Sequence, residues 1–350
     1  MRILGLSFGF HDAGACMLQD NTIEFAGHSE RYSKEKNDPW INHDLINAAI
    51  EKGLPDVIVL HEKAWAKRMR NLYAGNWRAL REPTQRQWIK KFYPQLAGIP
   101  IKDYWHHETH AGAGALSSEF DECAVMVIDA IGEFDCASIW QWKDNNLKKI
   151  HSVKFPSSLG LFYSAVTHHV GLKPMEDEYI LMGMAAYGKP ENWKPLSKKM
   201  GERYFRMKHP WMSFRKSIQM KENLQRGLGK NSFVGVDEFD MAAAAQDQVE
   251  QRVSAYAQYA KEITGSNNLV YMGGVALNCV ANSMLTDIFK NIFIMPNPGD
   301  AGSSLGAAAL ELLNTTEERV NWETPYLGHD IEGKYPIKKA LKSLLAGELF

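Results

Sequence analysis

No stretch of this chain is long and apolar enough to read as a transmembrane span. The opening Met1-Arg2-Ile3-Leu4-Gly5-Leu6 is too short a run for a secretory leader before it meets His11-Asp12. A cytoplasmic protein without membrane contact is expected. Cysteine is scarce as well: Cys16, Cys123, Cys136 and Cys279 lie far apart with no C-x-x-C pair. That excludes a disulfide framework or zinc knuckle and fits reduced core thiols. Nor does one sign of charge dominate, because 40 Lys and Arg face 41 Asp and Glu for a net charge of -1. No global field draws the chain to nucleic acid or an anionic membrane, and any such contact must be a local patch. What remains is 350 residues, 45% hydrophobic and 23% charged, an ordinary globular composition with chain enough for one large or two medium domains.

The alternation of apolar and polar residues reveals a repeat. Residues 3–8 read as a strand, and after a Gly/His/Asp turn 15–18 and 22–25 read as a hairpin closed by Gln19-Asp20-Asn21. Residues 124–129 form a second apolar strand. Beyond a Gly/acid turn come 137–142 and 147–153, joined by Lys143-Asp144-Asn145-Asn146. Each unit bends after its first strand at a small-residue turn that carries an acid, Asp12 in one and Asp129 in the other. Two such units with acids meeting across a cleft are the layout of an α/β, duplicated actin-like ATPase (ASKHA, ribonuclease H-like) fold. The expected division is 1–120 with a basic helical insertion, 121–324 with connecting helices, and 325–350 as a linker or the start of a further domain.

Residues 62–92 are rich in Lys, Arg and Trp. Nucleic-acid binding is the sharp reading of that segment. An amphipathic, solvated helical face with Trp65, Trp77 and Trp88 turned inward is favoured over it. The basic stretch 198–230 lacks periodicity, contains Pro210 and several glycines, and reads as a mobile insertion near a substrate. Residues 240–264 read as a buried helix with Asp240 as N-cap and Gly265 as terminator. Thereafter 269–272 and 292–294 read as strands, a short helix starts at Asn282, and a helix runs over 303–313.

Four residues stand out as metal ligands. If Trp105-His106-His107-Glu108-Thr109-His110-Ala111 is helical, His106 and His110 share a face one turn apart and His107 points elsewhere. The residue three after Glu108 is Ala111, so the zincin motif H-E-x-x-H is not met. Alone, such a pair also fits a surface or capping role. Asp129 ends an apolar strand, where a carboxylate faces the ligand crevice of an α/β sheet, although a turn-forming Asp sits there too. Asp300, in Asn297-Pro298-Gly299-Asp300-Ala301-Gly302-Ser303, stands where a glycine-flanked loop enters a helix, suited to a metal, to phosphate beside the loop amides, or to simple capping. Two imidazoles and two carboxylates suit divalent iron, zinc or manganese. Gly273-Gly274-Val275-Ala276-Leu277-Asn278 lets backbone approach a nucleotide, with Gly299 and Gly302 in the later loop and Asn278 as a hydrogen-bonding group. His11-Asp12 is placed to orient a substrate group or move a proton, Arg31 and Lys36 to counter phosphate charge; an ordinary turn and a solvated charge run explain them equally well in isolation.

Taken together, His11-Asp12-Ala13, Ser29-Glu30-Arg31, His106 with His110-Ala111, Asp129 with Gly132-Glu133, Ser158-Leu159-Gly160-Leu161-Phe162-Tyr163, Met182-Gly183-Met184-Ala185-Ala186-Tyr187-Gly188, Gly273 to Asn278 and Gly299-Asp300-Ala301-Gly302 occur in order over nearly the whole chain. This ordered set resembles the N-terminal, Kae1-like domain of the NodU/CmcH/TobZ O-carbamoyltransferases. The resemblance implies that His106, His110, Asp129 and Asp300 hold iron and that His11, with Asp12 beside it, is catalytic. It also implies that carbamoyl adenylate, made from carbamoyl phosphate and ATP in a YrdC-like second domain, donates its carbamoyl group to the hydroxyl of a small-molecule acceptor.

Gly14 stands where the family commonly has serine, Ala130 where it has glycine, and Ile180 where a phosphate-contacting lysine is common. The family's later G-R-x-E-x-G-P-R-A-L-G stretch has no counterpart here, so the adenylate-forming half is expected from a separate polypeptide, or else this copy is truncated and impaired. A tRNA threonylcarbamoyl transferase-like enzyme and a non-catalytic nucleotide-binding subunit of a split carbamoyltransferase are the alternatives. Nucleic acid enters as a partner only if the acceptor is a modified nucleotide. A sugar or acetate kinase is disfavoured, because kinases of this fold need no histidine pair at the phosphates.

Overall fold

The computed structural model of the protein describes residues 1–205, 228 and 233–328. Its first half runs β1 (Arg2–Ser7), β2 (Gly14–Gln19), β3 (Thr22–His28), α1 (Glu30–Ser33), α2 (His43–Ala49), β4 (Val57–Leu60), α3 (Ala64–Tyr73), α4 (Gln85–Phe92), β5 (Ile101–Asp103) and α5 (His106–Ser117). The second runs β6 (Cys123–Ile128), β7 (Asp135–Lys143), β8 (Asn146–Lys154), α6 (Leu159–His169), α7 (Glu178–Met184), α8 (Pro190–Tyr204), α9 (Glu238–Thr264), β9 (Asn268–Met272), α10 (Cys279–Ser283), β10 (Asn291–Phe293) and α11 (Ser303–Thr316).

Each half builds a five-stranded sheet, ordered β3-β2-β1-β4-β5 and β8-β7-β6-β9-β10. The first three strands of each are antiparallel and the last two join in parallel. The duplicated actin-like frame expected from the sequence is the fold. Strands β4 and β5 had no counterpart in the sequence reading; β4 is four apolar residues long and β5 three, too short for alternation to register.

Successive residues of a strand face opposite layers, and the central strands show this directly. Val57 and Val59 of β4 and Val125 and Val127 of β6 face a shared core with α5 and α11, while Ile58 and Leu60 pack outward on the first sheet and Met126 and Ile128 on the second. Helix α5 follows the first sheet yet packs on β6 and β9, and α11 follows the second yet packs on β1, β2 and β4. The two helices can lie sheet to sheet because they are built of alanine and glycine: every residue of α5 except Glu108 is buried. A Cβ on Gly306 would stand 1.8 Å from the Thr109 carbonyl, so only glycine permits this helix crossing.

Local differences from the sequence reading have physical causes. Asp237, not Asp240, caps α9, accepting from the Phe239 and Asp240 amides at 3.0 and 3.3 Å. Asp240 is turned instead to the Lys189 amide and the Asn192 side chain. Gly265 ends α9 in the left-handed region as expected, with φ of 68°. Helix α10 starts at Cys279 with Asn278 as its cap, three residues before the expected point. The largest correction concerns the aromatic insertion. Trp88 turns inward and stacks on Trp40 at 4.2 Å, but Trp65 and Trp77 are 61% and 69% exposed. Helix α3 buries Ala66 and Arg70 instead, with the Arg70 guanidinium drawn toward Glu62 and Glu133, and that rotation leaves the indole of Trp65 outside.

Past Lys198, α8 continues to Tyr204; the rest of the stretch read as a mobile insertion lies almost wholly outside the described residues, as does all but the first part of 325–350. Leu327 is tied back to the first sheet by the Ala26 amide, 2.7 Å from its carbonyl. No described helix is long and apolar enough to cross a membrane.

Candidate metal centre and cleft

The start of α5 projects His106 and His110 from one face, the end of β6 delivers Asp129, and the loop before α11 delivers Asp300. All four side chains are buried, and one ligand-capable atom from each lies within 4.8 Å of the others. His106 Nε2 is 3.1 Å from Asp129 Oδ2 and 3.1 Å from His110 Nε2. Asp300 Oδ1 sits 3.3 Å from His110 Nε2 and 3.5 Å from His106 Nε2 without completing a hydrogen bond. Two imidazole nitrogens facing one another, beside a carboxylate oxygen that no donor satisfies, form a donor set that fits a divalent cation.

The surrounding groups fix these side chains. Ser303 Oγ lies 3.2 Å from His110 Nδ1, and the Gly274 amide donates to Asp129 Oδ1 at 3.2 Å. Glu133 accepts the His106 amide at 3.1 Å and the Lys63 amide at 2.8 Å, joining the beginnings of α5 and α3. His107 points away, as expected, to Ser138 Oγ at 2.9 Å, and burial pushes it down to about 3, keeping it neutral. Burial acts against charge on His106 too, but the Asp300 and Asp129 carboxylates outweigh it and hold the ring up at about 9. Asp300 is held well below the usual carboxylate range; burial opposes this, and His11 and His106 prevail.

His11 borders this cluster, with Nε2 3.7 Å from Asp300 Oδ2 and Nδ1 2.8 Å from Asp12 Oδ2. Burial would lower it, yet Asp300 and Asp12 lift it to about 9. Asp12 adopts φ of 51°, and its other oxygen meets His28 Nε2 at 3.3 Å. His28 in turn faces Glu30 at 3.6 Å. Burial works against the Asp12 charge, but its hydrogen bond to His11 and the nearby His28 ring bring it to about 2.

Above the cluster opens a cleft lined by His11, Asp12, Asp129, Asp300 and, among others, Tyr163, Tyr179, Gly274, Val275, Asn278 and Gly299. Of the residues singled out in the sequence, Lys36 reaches the rim, its ammonium 3.2 Å from the Glu176 carbonyl and 4.9 Å over the Tyr179 ring. Arg31 does not: its side chain is 76% exposed and pairs with Glu30. Gly273 makes the turn rather than the wall, with φ of 92° and the Ile128 carbonyl 2.3 Å from where a Cβ would be. Gly302 packs against the Asn297 carbonyl. The Asn278 amide is already engaged, by Gln246 at 2.9 and 3.0 Å and by the Ala281 amide at 3.0 Å. Ser303, Glu133 and His28 had been given no role. The pairing of His28 with Gly14 across β2 and β3, which sets it beside the first turn, was the available signal.

Residues 61–309 match the family model described as Carbamoyltransferase N-terminus. The chain belongs to this carbamoyltransferase family. A Synechocystis protein of uncharacterized role, sll1178, is 33% identical over 344 residues, covering 87% of this chain and 56% of that protein. The 3'-hydroxymethylcephem-O-carbamoyltransferase of Streptomyces clavuligerus is 24% identical over 328 residues, covering 89% and 60%. The family member thus spans little more than half the length of these curated relatives. Full-length HypF, solved in a phosphate- and nucleotide-bound form, aligns with a TM-score of 0.53 at 14% identity, covering 91% of this chain and 56% of that one, a likeness of fold.

Proposed function

We propose that this protein is the acceptor half of an O-carbamoyltransferase, moving a carbamoyl group from carbamoyl adenylate to a hydroxyl. The observation that carries the reading is the convergence of His106, His110, Asp129 and Asp300 at the floor of a cleft in a chain of this family. A divalent ion held by these four, with iron the family's implied choice, supplies Lewis acidity toward the departing phosphate oxygens. The protein's own groups do the rest. His11 sits at the cleft edge and would accept the proton of the attacking hydroxyl in its neutral form, reached once a cation on Asp300 offsets the carboxylate charge that holds the ring protonated; Asp12 fixes the ring through Nδ1. The hydroxyl oxygen bonds to the carbamoyl carbon, the bond from that carbon to the phosphate oxygen breaks, and AMP departs with its electron pair. The Gly299 loop at the cleft and the ammonium of Lys36 at its rim would counter the phosphate charge that grows, while the Gly274 amide holds Asp129.

The division into 1–120 and 121–324 subdomains belongs to the same reading, as does supply of the donor by a YrdC-like partner. The test is a carbamoylation assay with ATP, carbamoyl phosphate, a YrdC-like protein and a panel of hydroxylated acceptors. Carbamoyl product that vanishes in His11→Ala supports the reading. A folded, metal-loaded protein that forms none with any acceptor refutes it.

A further inference from the structure

The insertion 62–92 carries nine Lys and Arg against two Glu, in a chain whose net charge is -1. Lys63 and Arg86 pair with Asp103, Lys67 pairs with Glu62 and Arg70 is buried, which leaves Arg68, Arg78, Arg81, Lys90 and Lys91 as the insertion's cations without an ion pair among the described residues. Within it α3 presents Trp65, Met69 and Tyr73 to solvent at successive turns, and Trp77 and Leu80 extend the stripe; all five are more than half exposed. Trp65 is braced edge-on by Trp105 at 5.8 Å, next to His106. Arg78, Arg81 and Lys90 are exposed and, among the described residues, make no ion pair. The stripe continues toward the cleft: Lys67 stands 5.8 Å over the ring of Phe10, itself 45% exposed and 4.7 Å from the ring of His11.

From this face we infer that the protein binds single-stranded nucleic acid, with bases stacked on the Trp65, Tyr73 and Trp77 rings and the backbone lying along Arg78, Arg81 and Lys90. Charge complementarity selects the partner. A polyanion is attracted, whereas a second copy would set the unpaired cations of two such faces against each other. Exposed Arg78 and Arg81 follow Trp77 directly, so a ring and cations stand side by side, which suits stacked bases with their phosphates rather than a ridge buried among lipid chains. The ground for setting nucleic acid aside, inward-facing indoles, does not hold for Trp65 and Trp77. The inference stands apart from the proposed chemistry. Where both hold, the path past Phe10 to His11 makes a polynucleotide hydroxyl an acceptor class.

The experiment is fluorescence anisotropy of a labelled single-stranded oligonucleotide of about 20 nucleotides, longer than one stacking site. The full chain is titrated over a range of salt, beside the same duplex and phosphatidylserine vesicles. Tighter binding to the single strand than to duplex is expected, with quenching of tryptophan emission. Trp77→Ala should weaken it about 5- to 100-fold, and Arg78→Gln with Arg81→Gln should lower the salt slope by roughly 0.7 for each phosphate contact removed. If Trp65→Ala perturbs its neighbour Trp105 and lowers the melting temperature, Trp77→Ala and the quenching of unaltered protein carry the test. No binding at low salt, binding indifferent to Trp77→Ala, or binding to vesicles without binding to oligonucleotide would each overturn the inference. Failure here leaves the carbamoylation assay untouched, and failure there leaves this surface standing.

Discussion

The two halves of the molecule use one strand order and put different chemistry at equivalent points. After β1 the turn carries His11 and Asp12, partly open to solvent and linked outward through His28 to Glu30. After β6 the equivalent turn carries Asp129, buried and pinned by the Gly274 amide. At the end of β4 stand His61 and Glu62, both buried, with Lys67 and Gln85 bonded to Glu62 at 2.7 and 3.1 Å. At the end of β9 stand only Gly273 and Gly274. Burial pushes His61 down to about 4, so it packs as a neutral ring. Side-chain volume thus fills one crevice and leaves the other open, and the open one is where the cleft lies. The α5 and α11 approaches complete the division, one giving two imidazoles and the other a carboxylate. A duplicated frame becomes a single asymmetric site by this means.

The largest effect should separate the two turns. Asp300→Ala removes a proposed ligand and the counter-charge of His11 and His106, and should lower carbamoyl transfer by well over 100-fold with loss of metal. Asp12→Ala in the other half should lower kcat by roughly 10- to 100-fold while metal is retained. Equal metal loss in both would erase the distinction between a ligand-bearing and a proton-handling turn.

Next comes the open crevice. Gly273→Ala forces a Cβ onto the Ile128 carbonyl in a left-handed conformation, and should cost about 2–3 kcal/mol in unfolding free energy measured by denaturant titration. At the filled crevice His61→Ala should cost about 1–3 kcal/mol through lost packing and leave nucleotide affinity unchanged. A drop in nucleotide affinity with His61→Ala would show that the first crevice is a binding wall after all.

Ser303→Ala should weaken metal binding about tenfold, because His110 loses the group that orients it, with little change in melting temperature. A graded effect is that of pH. His106 stays protonated up to about 9 when only protein groups surround it, burial opposing and Asp300 and Asp129 prevailing. That proton must leave before Nε2 can bind an ion, so affinity should fall as pH drops below about 9, by at most roughly tenfold per unit. Calorimetry at several pH values reads the proton release; affinity independent of pH would remove His106 from the site.

The repeat was legible because its two hairpins alternate cleanly and its turns carry acids. The ligand candidates were legible from a helical spacing and two loop-end carboxylates, and the structure brings those four side chains together. Less legible were groups that matter through contact rather than spacing. Ser303 meets His110 only across the α5–α11 packing, and Glu133 reaches two helix starts distant in sequence. The orientation of Trp65 depended on where Arg70 finds its counter-charges, which periodicity does not report. Arg31 looked like a phosphate partner within a charge run, yet Glu30 beside it claims its guanidinium.

The most direct test of the central claim is metal content. Protein purified anaerobically and loaded with iron, zinc or manganese is analysed for bound ion, and X-ray absorption identifies the ligand atoms. The account predicts about one ion per chain, bound by nitrogen and oxygen and lost when both His106 and His110 become alanine. A folded, unaltered chain that stays metal-free after loading with all three would contradict it.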